Sequence, residues 1–142
     1  LAPAPDSRME AGMVIRVHVA CDDAQVRHLI AGDLGAADDI EVVGESAENA
    51  LGAAAVELLA PDVVVLWAAP GADPAEHVRR YREGARRPAV VAFCTGSDQA
   101  AGFRAAGADA VVLDRDAAGT LRTAVKSVYR QRTAAASDAF GA

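Results

Sequence analysis

The chain has 142 residues, 52% apolar and 24% charged, which is enough for one domain with a real core and unlike the composition of a disordered chain. Its 14 cationic side chains, all but one of them arginine, face 20 carboxylates, and the net charge of -6 disfavours non-specific contact with nucleic acid. No apolar run approaches the ~18 residues of a membrane span and no secretory leader pattern opens the chain; the two cysteines, Cys21 and Cys94, make no disulfide framework, so the expected compartment is the cytoplasm.

Residues 1–12 are Ala, Pro and polar residues without period and read as a disordered tail, with Met9 or Met13 as candidate original starts of a processed or partial chain. Val14 to Ala20 is a short β-rich run. Val26, Leu29, Ile30 and Leu34 follow at helical spacing. Ile40 to Val43 reads as a second strand, and Leu51, Ala54, Ala55, Leu58 and Leu59 fall on one face of a second helix. Val63 to Leu66 is an uninterrupted apolar run, the pattern of a strand buried on both faces. Asp73-Pro74-Ala75-Glu76 has the order of a helix start: acidic cap, proline at the first position, Glu at the third. Val78, Tyr81 and Ala85 give that helix its apolar side, and Pro88 ends it. Ala89 to Phe93 is a fourth strand, Asp98 to Ala106 a short helix stopping at Gly107, and Ala110 to Leu113 a fifth strand. Leu121, Ala124, Val125 and Val128 mark a last helix. Residues 13–132 form the domain and 133–142 read as a second disordered tail.

Strict strand–helix alternation predicts an α/β fold: a flavodoxin-like, doubly wound, five-stranded parallel sheet of order 2-1-3-4-5 with helices on both faces. In such sheets ligands bind at the carboxyl ends of the strands. Those ends carry Cys21-Asp22-Asp23, Trp67-Ala68-Ala69, Cys94-Thr95 and Asp114-Arg115.

Several stretches resemble the receiver domain of bacterial response regulators. They are Ile15-Arg16-Val17 through Asp22 with Val26-Arg27, Asp39-Ile40-Glu41-Val42-Val43-Gly44-Glu45, Pro61-Asp62-Val63-Val64-Val65-Leu66, and Ala106-Gly107-Ala108-Asp109-Ala110. The second is most similar to regulators that carry a C-terminal helix-turn-helix. The resemblance runs through residues 14–130. It implies two acids after the first strand, a phospho-accepting Asp after the third, Ser or Thr after the fourth and Lys after the fifth. Matched without gaps, the acid pair falls on Cys21 and Asp22, or on Asp22 and Asp23 with a one-residue shift that misplaces Val26-Arg27. The acceptor position falls on Trp67, the hydroxyl position on Cys94 with Thr95 beside it, and the Lys position on Asp114. An indole is no phosphoryl acceptor, Mg²⁺ wants several oxygen ligands, and Asp114 would repel a phosphoryl group. These residues therefore read as a degenerate phosphorylation pocket with no catalytic residue, metal or cofactor.

Individual residues keep two readings each. Trp67 is a filler of the vacated pocket or a ligand-stacking surface, and filler is preferred. Cys94 is an inert strand-end residue rather than a reactive thiol. A Cys21–Cys94 disulfide fails because the predicted order puts strand three between them, roughly 10 Å, against the about 7 Å that a bridge spans. His18 reads as structural, and His28 and His77 as exposed on helices, without zinc spacing. Arg79, Arg80, Arg82, Arg86 and Arg87 read as a solvated face rather than a site for an acidic partner. The resemblance makes the fourth helix, fifth strand and fifth helix a partner surface, here carrying Arg104, Asp109, Arg115, Arg122, Lys126 and Arg130. The resulting expectation is a cytoplasmic, non-phosphorylatable signalling domain of an atypical response regulator controlling transcription. It would be a homodimer through that face, with no membrane contact and no nucleic-acid contact of its own. The alternative is a small-molecule sensor using the former phosphorylation pocket. An enzyme using Cys94 or Asp22 is least supported, for no motif places a base beside Cys94 and no Gly-rich phosphate loop follows the first strand.

Overall fold

The computed structural model describes residues 14–47, 50–67, 69 and 71–141; the expected N-terminal tail, with Met9 and Met13, and Ala68 lie outside the described residues. Strand β1 (Ile15–Cys21) leads to helix α1 (Ala24–Gly35), β2 (Ile40–Ser46), α2 (Ala50–Leu59), β3 (Val63–Trp67), α3 (Pro74–Arg82), β4 (Ala89–Cys94), α4 (Ser97–Ala105), β5 (Ala110–Leu113) and α5 (Thr120–Gly141). All strand pairs are parallel, in the order β2-β1-β3-β4-β5. The predicted α/β, flavodoxin-like topology is thus the observed one.

Strand alternation divides the core into two layers. Val17, Val19, Cys21, Val63, Val65, Ala89, Val91 and Val112 pack against Ile30 and Leu34 of α1 and Leu121, Val125 and Val128 of α5. Ala20, Val64, Leu66, Val90, Ala92 and Cys94 point the other way, against Val56 of α2, Val78 and Tyr81 of α3 and Phe103 of α4. The three central strands are buried on both faces, which is why they read as unbroken apolar runs.

Local signals set the helix starts. Asp23 caps α1, its Oδ1 accepting from Gln25 N at 2.9 Å and Val26 N at 3.1 Å. Asp73 caps α3, accepting from Ala75 N at 3.1 Å with Pro74 next in line. Each such cap is worth about 1 kcal/mol. Between β1 and β2 the register slips, Val17 facing Val42 and His18 facing Gly44. A Cβ on Gly44 would stand 2.7 Å from Leu59 and 2.8 Å from His18, so only glycine fits this bulge.

Several expectations are corrected. Helix α2 buries Gly52 and Val56, whereas of the face read from Leu51, Ala54, Ala55, Leu58 and Leu59, Ala54 is exposed, Leu58 is 83% exposed, and Ala55 and Leu59 are half-buried; the Leu51 side chain lies outside the described set. A Cβ on Gly52 would lie 2.9 Å from the Ala47 carbonyl oxygen, 3.1 Å from Ser46 Oγ and 3.2 Å from the Tyr81 hydroxyl, so the helix turns its glycine toward these neighbours. Leu29 is 71% exposed rather than a core residue of α1. His77 is buried, not exposed, with its Nδ1 3.3 Å from Arg80 Nη1. Helix α5 runs through Gly141, past Thr133, where the sequence reads as a disordered segment. Alanine, the strongest helix former, dominates 134–136 and continues the helix.

Candidate functional site

Three strand ends converge at the carboxyl edge of the sheet, with Cys21, Trp67 and Phe93 side by side in register. All three side chains belong to the α1/α5 face. Cys94, one residue further on β4, turns to the opposite face. Both cysteines are free and buried. The edge is therefore split: the sheet itself separates Cys94 from Trp67 and Cys21.

The first strand end is locked by its own loop. Cys21 Sγ donates to the Asp23 carbonyl at 3.3 Å, and Arg27 Nη1 donates to the Cys21 carbonyl at 2.8 Å. Burial raises the Cys21 thiol pKa. Asp23 is committed to capping α1, leaving Asp22 exposed at the tip. Arg27 was quoted in the sequence only as part of a motif; its role in tying this loop had no signal beyond its spacing from Cys21. Among the described residues no three His, Cys, Asp or Glu side chains gather as a metal site.

On the other side, burial pushes the Cys94 thiol up to about 11, with Arg104 pulling weakly the other way. A thiol so placed is protonated at neutral pH and is a poor nucleophile. Thr95 is exposed, its N–H donating to Gln99 Oε1 at 3.3 Å, and Gln99 Nε2 reaches the Ala69 carbonyl at 3.2 Å. Asp114 is exposed after β5. In the β5–α5 loop, Asp116 Oδ2 accepts from the Leu113 N–H at 2.8 Å and Arg115 Nη2 donates to Ser97 at 3.1 Å.

Between α1, the edge of the sheet and the β5–α5 loop lies an open cavity of about 410 Å³. Trp67, Phe93 and Val112 form its floor, Leu29 and Ile30 one wall, and Ala117, Ala118 and Leu121 the other. Thr95, Asp114, Asp116 and Asp33 contribute its polar groups. Of the residues singled out in the sequence, Trp67, Thr95 and Asp114 come together here, while Cys21, Asp22, Asp23 and Cys94 do not line it. Trp67 is half-buried, packed against the α1/α5 layer of the core, and its outer surface lines this cavity.

The six residues expected on a partner face are mostly engaged within the chain. Arg122 lies 3.6 Å from Asp33 of α1, and Lys126 lies 3.2 Å from Asp39 before β2. Asp109 pairs with Arg82 at 3.0 Å and accepts from Val90 N at 2.7 Å. Arg115 is held by Ser97. Arg104 and Arg130 are exposed. In the arginine run, Arg79 and Arg80 pair along α3 with Glu83 and Glu76, at 3.7 and 3.4 Å.

No protein-family model matches the chain, and no curated protein matches it significantly. Solved structures do match in fold. The signal receiver domain of the putative response regulator NarL from Mycobacterium tuberculosis superimposes with a TM-score of 0.71 at 22% identity, covering 82% of this chain and 97% of that one. A LuxR-family two-component response regulator from Aurantimonas sp. SI85-9A1 gives 0.73 at 22%, covering 83% and 86%. A LuxR-family DNA-binding response regulator from Staphylococcus aureus gives 0.68 at 19%, covering 82% and 99%. The flavodoxin-like sheet of this chain is the fold of those receiver domains.

Proposed function

We propose that this domain is a receiver-like signalling and interaction module that takes no phosphoryl group. The observation carrying this reading is Trp67. It stands at the end of β3, between Cys21 and Phe93, where the receiver resemblance calls for a carboxylate nucleophile. The lone pair of an indole nitrogen is delocalised into the ring, so it does not attack phosphorus as a carboxylate does. The surroundings support the same reading: Cys21 is a buried thiol, Asp23 is spent on a helix cap, and Asp114 puts negative charge where a cation would neutralise the phosphoryl group. Incubation with acetyl phosphate and Mg²⁺ should leave the intact mass unchanged; a stoichiometric phosphate adduct labile to hydroxylamine would overturn the reading.

The domain serves a cytoplasmic regulator of transcription, a reading supported by DNA-binding response regulators among the proteins it resembles in fold. Its partner face is α4–β5–α5, and the partner is a second copy. Arg122 and Lys126 are tied to Asp33 and Asp39 of their own chain, so the exposed Arg104 and Arg130 are the better probes. Sedimentation velocity at about 100 µM should show a dimer that Arg104→Glu weakens, since a reversed charge at a seam adds repulsion.

A further inference from the structure

The three central strands bury their side chains completely along most of their length, yet at the carboxyl edge this packing stops short. Trp67 and Phe93 lie in register on adjacent strands and are only half-buried beside the cavity. Leu29, 71% exposed, forms its lip, and Ile30, Val112 and Leu121 deepen it. Its volume of about 410 Å³ lies in the range of about 300–1,000 Å³ typical of small-molecule sites, which are likewise apolar with a few polar groups at the rim. Trp67 and Phe93, on neighbouring strands, together offer aromatic surface on which a planar ring system can stack.

Charge narrows the class further. The lining residues include three carboxylates, Asp33, Asp114 and Asp116, and no Lys, Arg or His. Arg122 offsets Asp33 from 3.6 Å away, and Asp116 is oriented by the Leu113 N–H. A negative mouth remains, with Asp114 exposed at the end of β5. An anion would be repelled here, and a cation would meet both carboxylate charge and aromatic faces. We infer that this cavity binds a planar, polycyclic aromatic cation, stacked on Trp67 and Phe93 with its charge toward Asp114. The inference deepens the reading of a domain set by something other than phosphate, and it rests on Trp67 not being a phosphoryl site.

The test uses the full chain and two probes of equal ring number and opposite charge, 9-aminoacridine and 9-anthracenecarboxylate. Binding is read by dye anisotropy and by quenching of Trp67, the single tryptophan. The acridine should saturate one site in the micromolar range, and the carboxylate should bind at least about tenfold more weakly, a difference of about 1.4 kcal/mol. Asp114→Asn should weaken the acridine several-fold and narrow the gap between the probes. Ala118→Phe, in an exposed loop lining the cavity, should abolish binding while leaving the melting temperature near the parent's. Absence of saturable acridine binding, equal binding of the carboxylate, or unchanged binding in Ala118→Phe would each overturn the inference. A dimer that Ala118→Phe dissociates would assign the groove to a second copy, with the same consequence. Phosphate uptake with unchanged dye binding would overturn the phosphorylation reading alone. Loss of dye binding in a chain that takes no phosphate would overturn the cavity reading alone.

Discussion

His18 lies in the middle of β1 with no exposed surface. Its Nε2 is 2.8 Å from the Ser46 hydroxyl, and its Nδ1 has no hydrogen-bond partner. Burial lowers its pKa from 6.5, so the native ring resists protonation. The sign follows: the unfolded chain takes up the proton near pH 6.5 and the folded one only at lower pH, so stability falls as acid is added through that interval. One such site costs up to about 1.4 kcal/mol per pH unit. Urea unfolding at pH 7 and pH 5.5 should show the loss in the parent and a smaller loss in His18→Gln; equal slopes would remove His18 as the cause. Trp67 makes a second prediction at this scale. A fully buried Trp truncated to Ala costs about 3–5 kcal/mol. This ring is half-buried against an open cavity, so Trp67→Ala should cost about 1–2 kcal/mol, and thermal melting should drop by several degrees rather than collapse.

Helix α2 ends on Ala60, whose φ of 51° is left-handed. That geometry costs a non-glycine residue about 1–2 kcal/mol, whereas glycine adopts it freely. Part of the relief is offset by the greater freedom of glycine in the unfolded chain. Ala60→Gly should therefore raise stability by up to about 1 kcal/mol, read as a higher urea midpoint at unchanged slope. The Arg16 Nη1 bond to the Ala60 carbonyl, 2.9 Å, involves only backbone of residue 60 and survives the change. Element types were legible from the sequence because the strands are Val-rich and the Asp73 cap marks a helix start, whereas the Asp23 cap reads in the sequence only as part of the acid pair. The rotation of α2 was not legible. Its composition is nearly all Ala, Leu and Gly, so hydropathy does not mark a face, and the closely approached Gly52 lies on the buried side. The reach of α5 was missed because small residues after Thr133 read as a tail when no core contact is visible.

Across the whole molecule, strand order was legible because parallel crossovers allow few alternatives. The placement of Trp67, Thr95 and Asp114 at strand ends was legible too, since each follows directly on an apolar strand run. The cavity was not. It forms where residues 26–33 meet residues 112–121 over the sheet, a juxtaposition that no local pattern encodes. The two-layer core also places Cys21 and Cys94 on opposite sides of the sheet, both buried. Ellman's reagent should find neither thiol in the native protein. In mild denaturant both should react at one common rate if the layers open together; two rates would mean that the layers open separately.

The last helix invites a mechanical view. It starts one residue after Gly119, whose φ of 90° only glycine adopts easily, and Leu121 in its first turn is part of the cavity wall. Arg122 and Lys126 pin its early turns to the body through Asp33 and Asp39. Residues 131–135 are exposed, and the helix continues to Gly141. From Lys126 to Gly141 the rise is about 22 Å, so a tilt of about 5° at the pinned end displaces Gly141 by about 2 Å. A wedge entering beside Leu121 would act on the short arm of a lever whose long arm runs on to Gly141.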